Sequence, residues 1–213
     1  MTGAPKKIIP SVTLEQYRKL SGKLAKRKAR AAIMGGWAVQ VWANPPATVD
    51  LDILTDLARD GVKGFLEARD VAREYRTIYP LVPADEEALA DVDLLPVAFL
   101  YPYDYMPKRL WTAPFEDVFR EVFVRVDLFL ADSYPYQFAL ARSRVIDGVR
   151  LVDPEGLVLT KLRSRREKDK RHMALLVGLP GFDQAWVRKH AQVMGVEDEF
   201  DRVLGGEYDL DME

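Results

Sequence analysis

The apolar positions change period several times along the chain, and each change marks an element. Over residues 13 to 30, Leu14, Tyr17, Leu20 and Leu24 recur every three or four positions, which is the spacing of one helix face, with Thr13 placed to cap its start. The short run Ala31 to Met34 is wholly apolar, as in a buried strand. Gly35-Gly36 stands where that strand turns into a helix carried by Trp37, Ala38, Val39, Val41 and Trp42. From Thr48 to Leu54 the period falls to two, with Val49, Leu51 and Ile53 on one face and Thr48, Asp50 and Asp52 on the other. Thr55 to Tyr75 reads as helix, Val97 to Leu100 as a strand, and the Tyr-Pro-Tyr-Asp-Tyr run Tyr101 to Tyr105 as a packed irregular loop. Val118 to Leu130 reads as a strand with Val122, Val124, Val126, Leu128 and Leu130 on one face and Phe123, Arg125, Asp127 and Phe129 on the exposed one. Phe138 to Val152 suggests a hairpin turning at Asp147-Gly148, Asp153-Pro154-Glu155 opens a helix, and residues 182 to 204 add more.

This alternation predicts an α/β (α+β) fold. A mixed, partly antiparallel sheet with flanking helices is expected over residues 1–135, followed by a smaller hairpin and mainly helical region over 136–213. A length of 213 residues with 48% apolar content is ample for one core. The absence of cysteine excludes disulfides and thiolate metal sites, and His172 and His190 alone cannot make a zinc site. No run is long and apolar enough for a membrane span and the basic N-terminus lacks a signal-peptide core, so a cytoplasmic location is expected. The net charge of −2 conceals an asymmetry, with nine Lys/Arg against Glu15 over residues 1 to 30 and eight acids against Arg202 over 197 to 213. Such a basic end could guide a polyanion such as RNA, although charge runs of this kind are usually a solvated helix face.

The chemistry concentrates in residues 31 to 54. Side chains two apart on a strand point the same way, so Asp50 and Asp52 can share hard cations, and Mg²⁺ is the cation that combines carboxylate ligands with substrate phosphates. Gly35 and Gly36 allow close approach of the backbone to a ligand, and the helix start behind them offers free N–H groups to an anion. Lys161, flanked by Leu159 and Leu162, is either a cation near the core with an anionic partner, a phosphate or an Asp, or a Lys that snorkels to solvent over its apolar neighbours.

An apolar run, Gly-Gly, then Asp-apolar-Asp-apolar resembles the signature of the nucleotidyltransferase superfamily that includes DNA polymerase β, and within it the small prokaryotic proteins around the AbiEii toxins. The resemblance implies an enzyme that moves an NMP from an NTP to an acceptor hydroxyl with two Mg²⁺ ions, with Asp127 as the third metal-binding acid after Asp50 and Asp52. It also implies that Gly35, Gly36, Trp37, Lys161 and Asp169 contact the nucleotide, Lys161 acting on the triphosphate and Lys168-Asp169 matching a family Lys-Asp pair. RNA (tRNA) or protein acceptors and an antitoxin partner belong to the same implication. Gly-Gly-Trp-Ala is similar as well to the lincosamide and aminoglycoside nucleotidyltransferases, which leaves a small-molecule acceptor open. In one respect the chain departs from the pattern. Many relatives carry an Arg shortly before the Asp-x-Asp strand, whereas Asn44-Pro45-Pro46-Ala47 stands here, so that another base such as Arg125 or Arg163 takes over or nucleotide affinity is reduced, and a non-catalytic nucleotide- or partner-binding module is the alternative of a different class.

Overall fold

The structure, a computed structural model, describes residues 11–45, 50–80, 96–164 and 166–208. A seven-stranded mixed sheet runs through it, built from β1 (Ala31–Ile33), β2 (Leu51–Thr55), β3 (Tyr75–Ile78), β4 (Ala98–Pro102), β5 (Val126–Leu130), β6 (Arg144–Ile146) and β7 (Val149–Leu151) in the order β3-β4-β5-β2-β1-β7-β6. β2 runs parallel to β5 and antiparallel to β1, and β1 is parallel to β7. The α/β fold is therefore as expected. The hairpin expected in the C-terminal region extends the same sheet through β1, so a boundary at residue 135 crosses continuous hydrogen bonding.

The first helix, α1 (Ser11–Ala25), lays Tyr17, Leu20 and Leu24 on the core, as the apolar spacing requires. Thr13, expected as its cap, is a buried residue within its first turn. α2 (Gly35–Ala43) follows the glycine turn and stops at Asn44 in the left-handed conformation. The segment expected to be one helix from Thr55 to Tyr75 is divided: Thr55 ends β2, α3 (Gly61–Glu67) and α4 (Arg69–Ala72) are separate, and Tyr75 opens β3. Tyr101 belongs to β4, and Tyr103 to Tyr105 form a single 3₁₀ turn.

The strand expected from Val118 begins only at Val126. Phe115–Glu121 is α5, preceded by Pro114 and carrying Glu116 and Asp117 in its first turn. Phe115, Val118, Phe119 and Val122 also recur at helical spacing, and Val118 and Val122 bury themselves in a second apolar cluster with Tyr101, Met106 and Leu110. After β5 come α6 (Tyr134–Ala141), where strand had been expected from Phe138, then the β6–β7 hairpin with Asp147 and Gly148 at φ 50° and 77°. α7 (Pro154–Lys161) is capped by Asp153, which accepts from the Gly156 N–H at 2.9 Å. α8 (Glu167–Val177), α9 (Gln184–Met194) and α10 (Glu197–Leu204) complete the chain. No described helix is long and apolar enough to cross a membrane.

Candidate active site

The glycine turn and the Asp-x-Asp strand meet because β1 and β2 are neighbours. The Met34 N–H donates to the Asp52 carbonyl at 2.9 Å, which sets the turn against the strand. Gly35 has φ +60°, and a Cβ there would lie 1.7 Å from Asp52 Oδ2, so only glycine permits this contact. The carboxylate of Asp52 thus rests on the first turn of α2.

The parallel pairing of β2 with β5 sets Asp52 opposite Asp127, about 4.8 Å from strand to strand. Asp50, Asp52 and Asp127 line one cavity of about 500 Å³ together with Gly35, Gly36 and Lys161. Burial, then the charge of Asp127, pushes the Asp52 carboxyl up to about 7, against the pull of Lys161, and Asp50 adds to the rise. Burial likewise raises Asp127 to about 6, with Arg125 opposing and Asp50 reinforcing the shift. The expected exposure of Asp127 is not what the structure has: it is 6% exposed because Arg125 covers it. The Arg125 guanidinium donates to both carboxylate oxygens of Asp127, at 2.6 and 2.9 Å, reaches Asp50 at 3.0 Å, and lies against the rings of Phe99 and Phe119.

A basic wall faces these acids from the α7–α8 side. The Lys161 ammonium is buried and ion-paired to the equally buried Asp169, whose other oxygen accepts from Ser164 Oγ and from Arg166, each at 2.6 Å. Burial alone would raise the Asp169 carboxyl, but the adjacent Lys161 and these hydrogen bonds bring it down to about 2. His172, buried beside this group, is lowered to about 4 by burial and then by the Lys161 charge, so it stays neutral and does not compete for Asp169. The Asp that satisfies Lys161 is therefore Asp169. This carboxylate works as a hub fixing Lys161, Ser164 and Arg166 along the wall.

Of the residues expected at the site, Gly35, Gly36, Asp50, Asp52, Asp127, Lys161 and Asp169 all line the cavity. Trp37 does not: it is buried in the core beneath α2 and is not among the lining residues, because one position past Gly36 the helix has already turned away. Both substitutes named for the missing Arg, Arg125 and Arg163, are at the cavity. Sequence reading missed Ser164 and Arg166 and the aromatic side of the cavity, Phe99 and Phe119. For Phe119 the signal was the four-residue spacing Phe115-Phe119-Phe123, hidden beneath the alternation read from Val122 onward.

Among the described residues no three His, Asp or Glu side chains converge as they stand on a point that could hold a metal ion. The reason is geometric, since Arg125 draws Asp50 and Asp127 onto itself. The donor chemistry nevertheless fits a hard divalent cation. Asp50, Asp52 and Asp127 face one cavity, burial and the charge of neighbouring acids raise the carboxyls of Asp52 and Asp127, and Asp52 has no ion pair among the described residues.

No protein-family model matches the chain, and no curated protein matches it significantly. Comparison with solved structures finds similarity to the crystal structure of an antigenic nucleotidyltransferase-like protein from Paracoccidioides brasiliensis, with a TM-score of 0.47 and 17% sequence identity over 90% of this chain and 89% of that one. So loose a superposition carries no residue roles across, and the reading of the site rests on the chain's own geometry.

Proposed function

We propose that the chain is a nucleotidyltransferase that moves an NMP from an NTP to an acceptor hydroxyl. The observation that carries this is the in-register placing of Asp52 and Asp127 on parallel neighbouring strands, with Asp50 beside them, in one cavity with the glycine turn and Lys161. In the reaction the acceptor oxygen bonds to the α-phosphorus as the bridge to the β-phosphate breaks, and pyrophosphate leaves with the electron pair. Asp50, Asp52 and Asp127 would hold two Mg²⁺ ions, which when bound supply neutralising charge at the phosphates and acidify the acceptor hydroxyl. Gly35 and Gly36 admit the phosphates to the start of α2, and Lys161 with Arg163 offsets their charge from the opposite wall. Asp127, with its carboxyl at about 6 and so ionised at neutral pH, is the acid we assign to take the hydroxyl proton.

The likeness of the Gly-Gly and Asp-x-Asp stretches to AbiEii-type toxins supports a macromolecular acceptor, RNA (tRNA) or protein, and an antitoxin that would restrain it. Incubation with Mg²⁺, each NTP labelled at the α-phosphate, total RNA and protein is expected to give labelled macromolecule and free pyrophosphate. Wild-type activity in Asp50→Ala/Asp52→Ala refutes the assignment. Arg125, paired to Asp50 and Asp127, favours a second reading in which the site binds nucleotide without turnover. NTP binding by calorimetry with no pyrophosphate released, for any acceptor including small molecules, selects that reading.

A further inference from the structure

Among the described residues, two of the bases lining the cavity are largely buried, and their anions differ in kind. Lys161 is paired to Asp169, which accepts also from Ser164 and Arg166 and is not among the acids assigned above to metal. Arg125 is paired to Asp127 and Asp50, which are. Its side chain is 15% exposed, whereas Arg163, Arg166 and Lys168, the other bases of the lining, stand in water. The same carboxylate oxygens cannot serve a guanidinium and a hard cation at once, so loading of the acids takes the anions of Arg125 and leaves those of Lys161 in place.

We propose that Arg125 is a positioning residue that changes partner: when Asp50 and Asp127 turn to a divalent cation, its guanidinium exchanges them for the phosphates of the NTP. The inference rests on the reading of this cavity as a nucleotide site given above. The Leu51 N–H donates to the Arg125 carbonyl at 3.0 Å, so the backbone is tied to β2 and the exchange is confined to the side chain. The guanidinium lies 5.0 Å from the Phe99 ring centroid and 5.4 Å from that of Phe119, and both rings line the cavity, so contacts that do not depend on the acids keep the group there. A guanidinium stays charged at every working pH, and one so little exposed requires another anion once its carboxylates are withdrawn. Phosphate is the anion this cavity is read to admit, and the planar fork of Arg matches phosphate oxygens two at a time.

Metal and nucleotide then favour each other through one side chain, and the coupling is reciprocal. While Arg125 holds Asp50 and Asp127, both the acids and the guanidinium are closed to their ligands. Once released, the guanidinium adds to the phosphate site a charge that Lys161, still shared with Asp169, supplies only in part. The exchange has a signature that packing alone lacks. Removing a side chain that merely supports the site weakens both ligands, whereas removing Arg125 strengthens the metal and weakens the nucleotide.

The test titrates the full chain by calorimetry, first with Mn²⁺ alone, which takes the same oxygen ligands as Mg²⁺, and then, at saturating Mn²⁺, with each NTP carrying a methylene bridge between the α- and β-phosphates so that no transfer occurs. In Arg125→Met the affinity for Mn²⁺ alone is expected to rise on the order of tenfold and that for nucleotide to fall on the order of tenfold, the size of one charged hydrogen bond. Arg125→Lys, which keeps the charge and loses the fork, is expected to bind nucleotide with an affinity between those of wild type and Arg125→Met. Arg125→Gln is expected to show the same two signs as Arg125→Met and takes its place if that variant does not fold. Mn²⁺ affinity that does not rise, or nucleotide affinity that does not fall, overturns the exchange and leaves the nucleotide site standing. A wild type that binds no nucleotide at any Mn²⁺ concentration overturns the reading of the cavity, and the exchange with it.

Discussion

Alanine in place of Gly35 probes the contact on which the site is built, and its cost has two separable parts. The backbone there is at φ +60°, a region that costs an L-residue about 1–2 kcal/mol. The new methyl would also lie 1.7 Å from Asp52 Oδ2, 2.5 Å from its Cγ and 3.0 Å from its Cβ. Carbon–oxygen contacts tolerate about 3.3 Å, so the carboxylate or the turn must give way by about 1.5 Å. The side chain is the softer of the two and would swing off the turn toward the cavity. In a chain of this length 1 kcal/mol moves Tm by about 2–4 °C, so the backbone cost alone lowers Tm by about 2–8 °C. A displacement beyond 1 Å at a reacting centre costs on the order of 10²-fold in rate. Thermal unfolding followed by circular dichroism measures the first effect and pyrophosphate release at matched folded fraction the second. Gly22→Ala is the control with opposite sign: nothing lies within 4 Å of a Cβ on this α1 glycine, and the change should stabilise by up to about 1 kcal/mol. A Gly35→Ala protein with unchanged Tm and full activity would show that the turn does not rest on Asp52.

Other consequences follow from the same geometry. Asp52 ionises near 3.9 in an unfolded chain and at about 7 when folded, so its contribution to stability is fully present below pH 4 and is lost as pH rises through 7; without divalent cations Tm should fall from pH 5 to 8, and Asp52→Asn should flatten that fall. Arg125→Met leaves Asp50 and Asp127 without their shared cation, so its Tm at pH 8 should drop below wild type and recover more steeply with added Mg²⁺, and a Mg²⁺ response equal to that of wild type would refute the competition. Asp169→Asn strands the buried Lys161 ammonium and should cost about 3–5 kcal/mol in denaturant unfolding, with Lys161→Met/Asp169→Asn costing less than the sum of the single changes. Trp37→Phe, buried away from the cavity, should alter NTP affinity by calorimetry less than twofold.

The linear chain determined what depends on local period and on single residue types. The two-residue alternation put Asp50 and Asp52 on one strand face, Gly35 marked a backbone that must turn sharply, and Asp147-Gly148 and Asp153-Pro154 marked a hairpin and a helix start. Where two periods meet the signal is ambiguous: the alternation from Val122 onward carried the strand back to Val118, whereas Phe115, Val118, Phe119 and Val122 keep helical spacing and the packing of Val118 and Val122 with Tyr101 and Leu110 goes with the helix. Only the tertiary structure decided which elements are neighbours. The pairing of β2 with β5 brings Asp127 to Asp52 across 75 positions of sequence, and the α7–α8 turn brings Asp169 to Lys161. The same folding places the Arg125 guanidinium between two of the acids and the rings of Phe99 and Phe119 on the far side of the cavity. Charges and rings find these partners through desolvation and hydrogen bonding in a shared interior, and neither is encoded in the spacing of the residues that meet there.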